Sequence, residues 1–71
     1  MNDDSFDDVT SLQFRLRELR DEHRDLDAAI ARLIAAPTDD QLLIRRMKKR
    51  KLALKDRISV IERLIEPDDL A

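Results

Sequence analysis

Eight positions, Val9, Leu12, Leu16, Leu19, His23, Leu26, Ile30 and Leu33, recur at alternating spacings of three and four residues, and all but His23 are aliphatic. A helix turns once in about 3.6 residues, so this beat gathers the eight into one narrow stripe. A strand would need a period of two, which no stretch shows. Pro37 interrupts the pattern, because it disfavours helical geometry at Ala36 and cannot donate a backbone hydrogen bond. The beat resumes at Ile44, Met47, Lys51, Leu54, Ile58, Ile61 and Ile65, until Glu66-Pro67 ends it. Two long helices joined by so short a connection return on themselves. The expected fold is all-α: an antiparallel, coiled-coil-like two-helix hairpin.

Local signals set the expected boundaries. Ser5 with Asp8, and Thr10 with Gln13, each resemble a capping box, which places the first helix at about 6–36. Thr38 with Gln41 offers a third box, with Asp39 and Asp40 in the first turn, so the turn is expected at 36–39 and the second helix at about 39–66. The acidic ends, residues 1–5 and 67–71, lack the periodicity and are expected to be flexible.

The two stripes can be aligned. Pairing Leu33 with Ile44 across the turn forces Ile30 onto Met47, Leu26 onto Lys51, His23 onto Leu54, Leu19 onto Ile58, Leu16 onto Ile61 and Leu12 onto Ile65. The midpoint of every pair falls between Thr38 and Asp39, where the capping signals independently put the turn. In this register Asp27 faces Lys48 and Glu22 approaches Arg57, whereas Arg20 comes near Lys55 and needs an acid or water.

A hairpin of 71 residues is near the size at which one core supplies only roughly 3 to 5 kcal/mol. The stripes leave apolar residues over: Ala28, Ala31 and Ala35 with Ile34 beside them, and Leu42, Leu43, Leu52, Val60 and Leu64. These predict a second interface, most simply a homodimer of hairpins forming a four-helix bundle.

Two segments carry a family resemblance. His23-x-x-Leu26-Asp27-x-x-Ile30 and Met47-Lys48-Lys49-Arg50-Lys51-Leu52-Ala53-Leu54-Lys55-Asp56-Arg57-Ile58 resemble the YdcH family, short bacterial cytoplasmic proteins of unknown function. The resemblance covers about fifty residues and implies a helical hairpin without an established activity. The acidic ends lie outside it.

Within the stripes, His23 and Lys51 are polar. His23, with Asp27 one turn away, is read as a register-fixing residue, and Lys51 as a side chain that snorkels past Leu26 toward Asp27 or solvent. The chain is segregated in charge: residues 1–8 carry four acids and no base, and residues 45–57 carry eight bases against Asp56. The block Arg45, Arg46, Lys48, Lys49, Arg50, Lys55 and Arg57 is the candidate polyanion surface, able to contact nucleic-acid phosphates without sequence preference. Missing aromatics for base stacking and a net charge of −2 argue against that role.

An enzyme is not expected. The chain has no Cys and no Gly and a single His, so it lacks the means for a thiolate site, a phosphate loop or a catalytic triad, and neither a cofactor nor a metal is implied. No apolar run reaches the roughly 18 residues that suggest a membrane span, and the N-terminus is acidic where a secretory signal would be basic, so the expected location is cytoplasmic. The sequence therefore predicts a small interaction or adaptor protein whose partner is itself or another protein. Non-specific nucleic-acid binding is the alternative.

Overall fold

A computed structural model describes residues 4–37 and 40–65 and, within them, the side chains from residue 9 onward. Helix α1 spans Asp4–Ala35 and helix α2 spans Gln41–Ile65, and the two pack side by side as an antiparallel hairpin, with no strand among the described residues. The bend follows from Pro37. The Ala36 amide donates the last helical bonds, to the Arg32 and Leu33 carbonyls at 3.0 and 3.3 Å, and the chain then leaves helical geometry. Arg32 sits in the final turn of α1, where a cation complements the helix dipole.

Helix α1 begins two residues earlier than the expected start at residue 6. Helix α2 begins two residues later than expected, because its cap is Asp40. The Leu43 amide donates to Asp40 Oδ1 at 3.2 Å and the Ile44 amide to the Asp40 carbonyl at 3.2 Å. Thr38 and Asp39, the expected cap and first-turn acid, lie outside the described residues, as do 1–3 and 66–71. Asp40 is thus the residue that caps the helix rather than one inside its first turn.

The stripe read from the spacing is the one that packs. Among the described residues Leu19, Ile30, Ile44 and Leu54 are buried, between 5% and 7% exposed. Leu12, Leu16, His23, Leu26, Leu33, Met47, Lys51, Ile58, Ile61 and Ile65 are half-buried along the same line. Val9 keeps the beat but is 51% exposed.

Of the ion pairs across the seam, those of Glu22 and Arg20 involve partners seven positions from the expected neighbours, while Lys51 reaches toward Asp27 as expected. Glu22 accepts from Arg50, not Arg57, at 2.6 Å from Nη2 and 3.2 Å from Nε. Asp27, expected to face Lys48, accepts instead from Lys51 Nζ at 2.5 Å, the direction in which Lys51 was expected to reach. The acid that Arg20 needed is Glu62, which accepts from Nη2 at 2.6 Å. In an antiparallel pair, each flanking residue lies between two residues of the other helix that are seven positions apart. Length alone does not choose between Lys55 and Glu62 for Arg20; charge does.

Candidate functional site

Seven residues make nearly two helical turns, so positions three, four or seven apart share a side of the hairpin. The Arg20–Glu62 pair marks one side and the Glu22–Arg50 pair the other. The two sides carry different chemistry.

On the Arg20 side, an open groove of about 880 Å³ lies toward the end of the hairpin away from the turn. Arg17, Arg20 and Arg24 reach it from α1, and Ser59, Glu62 and Arg63 from α2, over a floor that includes Leu16 and Ile65. Arg24 Nη2 is 3.9 Å from Asp21 Oδ1, too long for a hydrogen bond. Arg17 and Arg63 have no hydrogen bond or ion pair among the described residues. This cluster was not among the sequence candidates. Its signal was there, in the seven-residue repeat of Arg17 and Arg24 with Arg20 between them, but the share from α2 appears only once the register is fixed.

On the Glu22 side, Glu18, Glu22 and Asp25 stand on α1 between Arg15 and Arg32, while Arg46, Arg50 and Arg57 stand on α2. The middle of α1 is therefore acidic on this side, with an arginine at each end, and α2 is basic. Leu43, Ala53, Val60 and Leu64 share this side on α2 and are all exposed, with Ala29 half-buried on α1.

Between the sides, His23, Asp27 and Lys51 meet at the seam. His23 Nδ1 is 3.9 Å from Asp27 Oδ2, and Lys51 reaches the same carboxylate from the opposite helix. The hydrogen bond from Lys51, together with its positive charge and a smaller contribution from His23, holds the Asp27 carboxyl below its ordinary pKa of 3.8 against a partial desolvation that raises it. The cluster ties the helices together at mid-length.

The helical period distributes the candidate polyanion block around α2. Arg45, Lys48 and Lys55 turn toward the Arg20 side, Arg46, Arg50 and Arg57 toward the Glu22 side, and Lys49 outward. All seven are exposed. Arg50 is engaged by Glu22, while the other six have no hydrogen bond or ion pair among the described residues. Among those residues no group of three or more His, Asp or Glu is placed to hold a metal ion. No described helix is long and apolar enough to cross a membrane.

The class this defines is a small, highly charged antiparallel helical hairpin with a thin core and two electrostatically distinct sides. The chain belongs to the YdcH family: the family model described as a protein of unknown function, DUF465, matches residues 16–62. That match takes in both helices, the turn and the His23, Asp27 and Lys51 cluster. No curated protein and no solved structure matches the chain.

Proposed function

We propose that the hairpin is a non-enzymatic interaction module of the cytoplasm that pairs with a second copy of itself. The observation that carries this reading is the imbalance of its apolar surface. Four of the described residues are buried, while Leu43, Val60 and Leu64 stand exposed along the Glu22 side of α2, and Ile34, Leu42 and Leu52 are exposed elsewhere on the hairpin. A two-helix hairpin with so small a core is marginal alone, and covering the second apolar surface supplies what the seam does not.

Charge selects the Glu22 side for that pairing. A two-fold axis through this side sets the acidic middle of the α1 flank, Glu18, Glu22 and Asp25, against the basic flank of the partner's α2, twice over. The same operation on the Arg20 side sets arginines against arginines. Sedimentation analysis of the full chain tests the reading. A dimer mass at micromolar concentration, reduced to monomer by Val60→Asp with Leu64→Asp, is the expected result, and a monomer mass for the native chain overturns it.

A second reading is favoured by the six cations of α2 that have no partner among the described residues: non-specific contact with nucleic-acid phosphates. Retention on a polyanion that falls steeply with salt, and that is lost on charge reversal at Lys48, Lys49 and Arg50, would support it. Self-association that ignores salt while retention stays absent would leave the first reading alone.

A further inference from the structure

We infer that the groove on the Arg20 side is a binding site for a chain of consecutive phosphate groups on a small soluble ligand. Its walls hold four guanidinium groups, Arg17, Arg20, Arg24 and Arg63, against two carboxylates, Asp21 and Glu62, which leaves two positive charges in excess. The excess is not neutralised within the groove. Glu62 is taken up by Arg20, Asp21 stands 3.9 Å from Arg24, and Arg17 and Arg63 have no partner among the described residues.

The cations lining this groove are all arginine, although lysine is plentiful elsewhere on α2. The guanidinium fork is planar and donates in pairs, which matches phosphate oxygens better than an ammonium point charge does. Arg17 and Arg24 are seven residues apart, roughly 10 Å along the helix axis. A chain of linked phosphates engages both without drawing the two side chains together, as a single phosphate would have to, with Arg63 arriving from the other helix and the half-buried Ser59 adding a hydroxyl.

The walls also exclude other occupants. A second copy would bring like charge against like charge. A nucleobase finds no stacking platform among the described residues, since the chain has no Trp or Tyr and Phe14 does not line the groove. The ligand is recognised through its phosphates.

Calorimetric titration of the full chain with inorganic tripolyphosphate tests this, with inorganic orthophosphate, a nucleoside triphosphate and a short single-stranded oligonucleotide as parallel arms. Tripolyphosphate should bind at least tenfold more tightly than orthophosphate. Arg17→Gln and Arg24→Gln should each weaken it by roughly tenfold or more, the usual loss for a hydrogen bond to a charged group. Lys49→Gln, on the outward face of α2, should leave it unchanged. All three positions are exposed, so circular dichroism should show the same helix content in each variant.

A nucleoside triphosphate that binds as tripolyphosphate does assigns recognition to the phosphate chain alone; tighter binding keeps the site and adds contacts to the nucleoside. Equal affinity for orthophosphate and tripolyphosphate overturns the proposal, as does a Lys49→Gln loss as large as that of Arg17→Gln. An oligonucleotide that outcompetes tripolyphosphate overturns it in favour of nucleic acid. Because none of the groove arginines belongs to the Glu22 side, failure here leaves the dimer reading standing.

Discussion

Replacing Leu54 by alanine removes one of the four side chains buried among the described residues, and the loss can be sized from its burial. Leu54 is 5% exposed, with the seam positions Lys51 and Ile58 one turn to either side of it on α2. Buried Leu→Ala changes cost about 2 to 5 kcal/mol, and a slender hairpin relaxes more readily than a globular core, which points to the lower half, about 2 to 3 kcal/mol. For a domain of this size each kcal/mol moves the melting temperature by about 4 to 8 °C, so a drop on the order of 10 to 20 °C is expected. Leu52, two residues away and 67% exposed, is the internal control. Thermal unfolding followed by circular dichroism, at a concentration low enough to dissociate any dimer, should show Leu52→Ala within about 0.5 kcal/mol of the native chain. Equal losses at the two positions would refute the seam as the source of stability.

Further consequences follow from the same geometry. Cysteines placed at Ile30 and Met47 should form an intrachain disulfide on mild oxidation, seen as a mobility shift reversed by reductant, whereas a pair at Ile34 and Leu52 should not. Exchanging Arg20 and Glu62 should restore the stability that either single reversal removes, with a coupling energy of about 0.2 to 1 kcal/mol, because both partners are roughly half exposed. Lys51 lowers the Asp27 pKa, so this carboxylate contributes stability that is fully present above its ordinary value of 3.8 and is lost as pH falls through the lowered one. The melting-temperature gap between the native chain and Asp27→Asn should therefore be constant near neutrality and should close only below pH 3.8.

The parts of this molecule that were legible in advance are those governed by period. Leu19, Ile30, Ile44 and Leu54 lie on the stripe that the spacing of three and four defines, and Pro37 fixes where the chain turns. The parts that were not legible depend on a choice between near-equivalent partners. Arg20 lies between Lys55 and Glu62, and only the sign of the charge separates them. The cap of α2 fell to Asp40 because three neighbouring residues, Thr38, Asp39 and Asp40, can all accept a hydrogen bond, and the sequence ranks them without deciding. The arginine groove was missed for another reason. Charge counted along the chain draws the eye to residues 45–57, while the groove collects its cations from residues 17–24 and 63, which are neighbours only across the fold.

The placement of charge along the seam also decides which helix can pair with which. Six of the seven residues at 45–51 are cationic, and Lys51 is itself a seam residue. A parallel pairing of two α2 helices in register would set Lys51 against Lys51 and flank it with like charge. Pairing α2 with α1 instead gives Lys51 the Asp27 carboxylate and gives Arg50 the Glu22 carboxylate, so the polar seam favours the hairpin over homotypic α2 pairs. Peptides spanning 4–37 and 40–65 should show this directly. Each alone should be weakly helical, since most helix stability comes from packing rather than propensity. An equimolar mixture should gain helicity by circular dichroism, and Asp27→Lys in the first peptide should reduce that gain. If the second peptide alone forms helical oligomers as readily as the mixture, the Lys51–Asp27 contact does not select the partner, and the pairing must instead be imposed by the turn at Pro37.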